Sequence, residues 1–153
     1  MSKKIRLGIL GGGGNSLIGV LHRIAANMFD KYEIVGGVFN PNFDENITFA
    51  KTIGLNSSRV YKDYETLISE ECKLDSSERM QAISVLTPNF LHYPMAKQLL
   101  ENDFHVICEK PLTISYQEAL DLKRIKEEKN AVFGVTHTYT GYPMVRQMTK
   151  MIS

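Results

Sequence analysis

The sequence predicts an α/β protein in which a doubly wound parallel sheet carries helices on both faces. Short apolar runs alternate with amphipathic stretches of about 10–15 residues, which is the pattern of successive βαβ units. Four consecutive glycines follow the first apolar run directly and precede a helical stretch. The chain has 153 residues and a mass of 17.3 kDa, which is the length of a single domain.

Each element is assigned from its apolar pattern and its end signals. The six predicted strands cover residues 5–10, 32–39, 59–61, 81–86, 104–108 and 131–136. The predicted helices cover residues 16–29, 44–53, 64–72, 93–101, 116–129 and 142–152. The helix at 16–29 has Leu17, Val20, Leu21, Ile24 and Met28 on one face. Gly54 is predicted to end the helix at residues 44–53, and Asp63 to cap the start of the helix at residues 64–72. Ser115 and Glu118 form a predicted capping box at the start of the helix at residues 116–129. Six strands in this rhythm are the full complement of a Rossmann-type dinucleotide-binding domain.

Composition excludes several classes of protein. The 18 basic and 17 acidic residues leave a net charge of +1, so no basic surface indicates a nucleic-acid or membrane partner. Two cysteines, Cys72 and Cys108, are too few for a secreted disulfide scaffold, and no metal-binding spacing is present. No apolar run approaches the ~18 residues of a membrane span, and the first run is a buried strand rather than a signal peptide. We therefore expect a cytoplasmic location and no metal.

The glycine run is positioned as a dinucleotide-binding loop. Gly11 and Gly13 have the usual spacing, but Gly19 follows later than the third glycine normally does, so the loop is long. Glycines allow the backbone to approach a pyrophosphate, whose charge then lies at the helix N-terminus. We expect the phosphates to be wrapped by Asn15, Ser16, Leu17 and Ile18. The alternative is a flexible turn between strand and helix.

The end of the second strand normally supplies an acidic residue to the adenosine ribose. Here that position holds Asn40, which is predicted to hydrogen-bond the ribose instead. No lysine or arginine is close in the sequence to hold a 2′-phosphate, and Asp44 and Glu45 would repel one. The sequence therefore favours NAD and leaves NADP open.

Two motifs follow the fourth and fifth predicted strands and should lie in the same crevice as the glycine loop. The first is Thr87-Pro88-Asn89 with His92, and the second is Glu109-Lys110-Pro111. A lysine beside a carboxylate is a candidate proton donor or acceptor for an alcohol whose hydride passes to a nicotinamide. The alternative is a surface ion pair between Glu109 and Lys110. His137 is a further candidate at the crevice, whereas His22, His105 and Cys108 are interpreted as packing residues.

Taken in order, these motifs resemble those of the glucose-fructose oxidoreductase/inositol dehydrogenase (Gfo/Idh/MocA) family. The matching residues are Gly19-Val20-Leu21-His22, Thr87-Pro88-Asn89 with His92, and Glu109-Lys110-Pro111. The resemblance covers essentially the whole chain and implies a nicotinamide-dependent oxidoreductase acting on a sugar, cyclitol or related polyol. It implies that Lys110 lies near the nicotinamide and the reacting hydroxyl, and that Glu109 contacts the nicotinamide ribose or orients the lysine. Asn89 and His92 would line the nicotinamide side.

The resemblance also implies a domain boundary. Residues 1–139 would form the NAD(P)-binding domain, and residues 140–153 would begin a helix that leads into a C-terminal α/β substrate domain, which is missing here. The full-length protein would be a homo-oligomer, and we expect the 153-residue chain alone to have no appreciable dehydrogenase activity. Three alternatives stay open: an NAD-dependent glycosidase of the same fold family, a non-enzymatic dinucleotide-binding module, and a methyltransferase.

Overall fold

Five parallel strands form the single sheet of the computed structural model, which describes residues 4–152. They are β1 (Ile5–Gly11), β2 (Tyr32–Val38), β3 (Ala82–Leu86), β4 (His105–Glu109) and β5 (Phe133–Thr136). Their order in the sheet is β2-β1-β3-β4-β5, so the direction of winding reverses between β1 and β3. In open α/β sheets a crevice opens at this switch point, outside the carboxyl ends of the strands. The predicted α/β fold class is confirmed.

Within residues 4–152, six α-helices connect and follow these strands. They are α1 (Leu17–Met28), α2 (Phe43–Thr52), α3 (Tyr64–Glu71), α4 (His92–Glu101), α5 (Tyr116–Glu128) and α6 (Pro143–Ile152). Short 3-10 helices cover Ser57–Arg59, Asn89–Leu91 and Thr138–Gly141. Four α-helices begin at a side chain that accepts a hydrogen bond from the first helical turn, namely Ser16, Asn42, Asp63 and Ser115. None of the described helices is both long and apolar enough to cross a membrane.

The hydrophobic core lies on both faces of the sheet and is larger on one face than on the other. On one face, Ile83 and Val85 pack in a large buried cluster with side chains of α3, α4 and α5. On the other face, Leu7 of β1 packs against Ala26 of α1, and Ile9 packs with Ala50 of α2. Helices therefore lie on both faces, as the alternating pattern predicts.

The predicted strand at residues 59–61 is wrong. Ser57–Arg59 is a 3-10 helix, capped by the Asn56 side chain, and the chain then touches the sheet through one isolated bridge between Val60 and Gly37. The Tyr61 N–H donates to the Gly37 carbonyl (3.0 Å), after which the chain turns into α3. Because one bridge does not make a ladder, the described sheet has five strands and not the six predicted.

A buried carboxylate fixes the segment that replaces this strand. Glu71, at the end of α3, has no exposed surface. It accepts hydrogen bonds from the Arg59 guanidinium (2.6–3.0 Å), the Tyr61 hydroxyl (2.6 Å) and the Met80 backbone N–H (2.8 Å). Burial and the neighbouring carboxylate raise the pKa of Tyr61 above its ordinary value, so the phenol remains a donor.

The apolar face of α1 does not point into the core. Its large side chains share one face as predicted, but Leu17, Val20, Leu21, Ile24 and Met28 are all exposed. The residues that α1 buries are Gly19 and Ala26, which are small enough to bring the helix close to the loop and the sheet. The pattern identified the helix correctly but not the face that packs against this sheet.

Candidate functional site

A cleft of about 590 Å³ opens at the switch point between β1 and β3. Its walls come from the carboxyl ends of β1, β2 and β3, the start of α3, and the segment leading into α4. Five of the predicted cofactor-binding residues line it: Gly11, Gly13, Asn40, Thr87 and Pro88. We call this space the glycine-loop cleft. Its position and size fit part of an extended dinucleotide.

The glycine loop is held close to its neighbours by backbone contacts. A Cβ on Gly19 would lie 1.8 Å from the carbonyl oxygen of Gly12, and a Cβ on Gly13 would lie 2.4 Å from that of Phe39. The Gly13 N–H donates to the same Phe39 carbonyl (3.2 Å). The late third glycine is therefore the position at which α1 touches the loop, which accounts for the unusual spacing.

The N-terminus of α1 faces the loop. The Ser16 hydroxyl accepts from the Gly19 N–H (3.1 Å), so this side chain is used as the helix cap. The N–H groups of Leu17 and Ile18, in the first turn, have no intrahelical acceptor by the geometry of a helix. Together with the helix dipole, such amides favour a phosphate. The exposed Asn15 precedes this turn.

Arg23 supports the loop from inside α1, a role that sequence reasoning missed. Its Nη1 donates to the Gly12 carbonyl (2.8 Å), and its guanidinium lies 5.0 Å from the centroid of the Phe49 ring of α2. Burial lowers the pKa of the Arg23 guanidinium from its ordinary value. The sequence signal was present, since Arg23 lies one turn after Gly19 on the same helix.

The end of β2 is organised by two asparagines. Asn40 accepts from the Asn42 N–H (2.8 Å) and donates to the Glu45 carboxylate (2.8 Å), so both ends of its amide are used locally. Asn46, fully buried, accepts from the Phe39 N–H and donates to the Tyr61 carbonyl, each at 2.7 Å. Asn40 thereby brings a carboxylate to the place where the sequence lacks one.

Lys62 also lies on the wall of the glycine-loop cleft. Sequence reasoning found no basic residue near the adenosine end, because Lys62 is 22 residues beyond Asn40 along the chain. The start of α3 brings it there, with its ammonium 3.7 Å from the Asp63 carboxylate. The cleft wall therefore carries one cation next to one anion.

His92 does not face the cleft as an open side chain. It is 1% exposed, and its Nδ1 and Nε2 lie 2.7 and 2.8 Å from the carbonyl oxygens of Pro111 and Thr87. With both nitrogens engaged by the protein, the ring offers no atom to a ligand in this structure. Asn89 starts the 3-10 helix just before α4 and is exposed.

Glu109 and Lys110 diverge at the end of β4. The Glu109 carboxylate is turned toward α1, where Oε1 lies 2.9 Å from His22 Nε2, and Oε2 accepts from the Lys110 backbone N–H (3.2 Å). The Lys110 side chain is exposed, and its ammonium has no hydrogen bond or ion pair within residues 4–152. The two residues are therefore not a surface ion pair, and the lysine amine is free for a ligand.

A second cavity, of about 410 Å³, lies on the α1 side of β3, β4 and β5. It is lined mainly by apolar groups and by His22, Glu109 and Ser84. Ile18 lies on its rim, while His137, past β5, is exposed and caps a 3-10 helix through its carbonyl. Of the predicted site residues, Ile18 and Glu109 line this cavity, and Gly11, Gly13, Asn40, Thr87 and Pro88 line the glycine-loop cleft. Lys110 lines neither space and follows the carboxyl end of β4. In the described part of the chain, no three His, Cys, Asp or Glu side chains are grouped to hold a metal ion.

Cys108 precedes the Glu109-Lys110 pair but points into the core and is fully buried. Burial, with a smaller effect of the Glu109 charge, raises the pKa of its thiol to about 12. Since the thiolate is the nucleophile, Cys108 is predicted to be inert. At about pH 8 a chromogenic disulfide reagent should titrate one of the two cysteines, the exposed Cys72, in the native protein, and both after denaturation. Rapid reaction of both thiols without denaturant would contradict the buried position.

Residues 5–137 match the model of the GFO_IDH_MocA family, which is described as "Oxidoreductase family, NAD-binding Rossmann fold". It is 35% identical over 153 residues to an uncharacterised oxidoreductase, YfiI, of Bacillus subtilis (strain 168), which is 99% of this chain and 38% of that protein. It is 34% identical over 139 residues to the glucose-6-phosphate 3-dehydrogenase of the same organism, covering 90% of this chain and 35% of that enzyme.

The fold is similar to that of several solved structures. One is an inositol dehydrogenase homolog from Azotobacter vinelandii complexed with NADH and myo-inositol, with 37% identity and a TM-score of 0.94 over 99% of this chain and 40% of that one. Another is an oxidoreductase from Sinorhizobium meliloti, with 43% identity and a TM-score of 0.88 over 99% of this chain and 41% of that one. The chain therefore spans about two fifths of the length of these proteins.

Proposed function

The chain belongs to the Gfo/Idh/MocA family of oxidoreductases, and from that premise we propose that it forms the NAD-binding part of an enzyme acting on a polyol. The enzyme would transfer hydride to or from a sugar, cyclitol or related alcohol. The observation that carries the proposal is the unpaired ammonium of Lys110 just past the carboxyl end of β4, on the same edge of the parallel sheet at which the glycine-loop cleft opens. The similarity to a glucose-6-phosphate 3-dehydrogenase and to an inositol dehydrogenase homolog supports this class of substrate.

Lys110 is the residue that we propose to transfer the proton. The bound nicotinamide supplies the site that accepts or gives the hydride. In alcohol oxidation, the Lys110 amine accepts the hydroxyl proton as the carbon loses its hydride, and in carbonyl reduction the ammonium returns it. Glu109, turned away toward His22, orients the lysine through its backbone N–H.

The glycine loop and the first turn of α1 are proposed to hold the pyrophosphate through backbone amides. At the adenosine end, Glu45 is held by Asn40 and lies in the first turn of α2 beside Asp44. Two carboxylates in this position repel a 2′-phosphate, and Lys62 is itself close to Asp63. We therefore propose that the domain prefers NAD over NADP.

Titration of the purified chain with NADH, NADPH and S-adenosylmethionine tests this function. We expect NADH to bind and to enhance or shift its nicotinamide fluorescence, and NADPH to bind about tenfold more weakly, which corresponds to about 1.4 kcal/mol. S-adenosylmethionine should not compete with NADH. Binding of S-adenosylmethionine alone would overturn the proposal in favour of a methyltransferase, and tighter binding of NADPH would overturn the cofactor preference.

A further inference from the structure

We propose that His22 and His92 are positioning residues that hold the Glu109-Lys110-Pro111 segment from two sides and so fix the place of Lys110. The inference rests on the proposed function of Lys110, and it assigns a role to two histidines that come from different helices. His22 lies in α1 and His92 begins α4, and these helices pack on opposite faces of the sheet.

His22 holds the residue before the lysine. Its Nε2 lies 2.9 Å from Glu109 Oε1, and the two side chains are only 14% and 11% exposed. The other carboxylate oxygen of Glu109 accepts from the Lys110 N–H at 3.2 Å. Because one carboxylate joins the imidazole of α1 to the peptide of Lys110, a shift of His22 changes the direction in which the lysine leaves β4.

His92 holds the residue after the lysine. Its ring lies between the carbonyl oxygens of Pro111 and Thr87, at 2.7 and 2.8 Å. A carbonyl can only accept, so a neutral imidazole donates to one of the two and an imidazolium to both. Thr87 and Pro111 lie past the last paired residues of β3 and β4, where the sheet ladder no longer fixes the backbone. His92 therefore connects the two strand-end motifs.

Between these two contacts, the Lys110 side chain is left without a polar partner in the described chain. Its neighbours on both sides are tied to buried or nearly buried rings, while its own ammonium remains exposed. This arrangement fixes the backbone of a residue and leaves its amine free, which is what accurate placement against a bound cofactor requires. His22 Nε2 and both nitrogens of His92 are engaged by the Glu109 carboxylate and by backbone carbonyls, so we assign both rings a role that acts through Lys110.

The first experiment compares NADH with ADP-ribose, which lacks the nicotinamide. We expect H22F and H92F to weaken NADH binding about tenfold, or about 1.4 kcal/mol, and to change the affinity for ADP-ribose less than about twofold. A K110M variant should show the same selective loss. H22Q and H92Q, which keep an N–H donor, should recover most of the affinity. H105Q is the matched control, because His105 lies at the opposite end of β4, and should bind as the wild type does.

The second experiment measures hydrogen–deuterium exchange of residues 106–113 without any cofactor. We expect exchange to be at least about fivefold faster in H22F and H92F and unchanged in H105Q and K110M. If a phenylalanine variant fails to fold, judged by circular dichroism, H22L or H92L replaces it with the same expected results. Unchanged exchange in the histidine variants would overturn the positioning role.

The outcomes distinguish this inference from the proposed function. If K110M selectively weakens NADH binding but the histidine variants do not, the positioning role is wrong and the proposed function stands. If K110M binds NADH as the wild type does, Lys110 is not placed against the nicotinamide and the inference falls, whereas the proposed binding of NAD by the domain stands. Equal loss of NADH and ADP-ribose binding in the histidine variants would show a general structural defect and would also overturn the inference.

Discussion

Replacement of Gly19 by alanine is expected to weaken dinucleotide binding strongly and to leave the sheet folded. A Cβ at this position would lie 1.8 Å from the Gly12 oxygen and 2.5 Å from its carbonyl carbon. Both are backbone atoms, so no side-chain rotation relieves the overlap, and α1 must move away from the glycine loop. We expect the Kd for NADH to rise at least about 100-fold, or about 2.7 kcal/mol, with a loss of about 1–3 kcal/mol in the free energy of unfolding.

Fluorescence titration with NADH and urea denaturation measure the two effects. Gly134→Ala is the matched control, since a Cβ there meets no atom within 4 Å and the residue lies in β5. It should bind NADH as the wild type does. If Gly19→Ala binds NADH within about threefold of the wild type, the contact between α1 and the loop does not have the importance assigned to it.

Replacement of Glu71 by alanine is expected to lower the free energy of unfolding more than replacement of Gly19 does. This carboxylate is fully buried and serves as acceptor for Arg59, Tyr61 and the Met80 backbone. Its removal leaves a partly buried guanidinium and a phenol without their acceptor, which costs about 3–5 kcal/mol in the free energy of unfolding. The loss should appear as a lower urea midpoint with an unchanged slope.

Glu70→Ala provides the control for this variant. Glu70 is the preceding residue of α3, and its ion pair with Lys73 (2.7 Å) lies at the surface. Exposed pairs of this kind contribute about 0–1 kcal/mol. Equal destabilisation by the two substitutions would show that the buried cluster around Glu71 does not hold the segment between α2 and α3.

The fold could be predicted because its signals are local. Alternation of apolar runs and amphipathic stretches depends on neighbouring residues, and caps such as Asp63 and Ser115 act within one turn. The prediction of a strand at residues 59–61 was wrong because the apolar side chains of Val60 and Tyr61 are buried beside the sheet without forming a ladder with it. Whether such a segment pairs over a ladder or through one bridge is decided by the tertiary fold.

The site could be predicted only in part, since its decisive contacts join residues that are far apart in sequence. His22 and Glu109 are 87 residues apart, and His92 and Pro111 are 19 apart. No periodicity relates such positions, so the histidines could be found only as candidates. The motifs did place Lys110 past the carboxyl end of a strand, because the carboxyl ends of parallel strands meet at one edge of a sheet. The exposed face of α1 shows the same limit, since amphipathicity does not identify what a face contacts.

The pairing of β3 with β4 has a consequence for how this sequence tolerates insertions and deletions. Val85 opposes Cys108, and the next residue, Glu109, points to the opposite face. Loss of one residue within β4 would reverse this alternation, placing a carboxylate among the core side chains and a thiol beside His22. A single deletion in this strand would therefore do more harm than most substitutions, and viable homologous sequences should vary in length in their loops and not here.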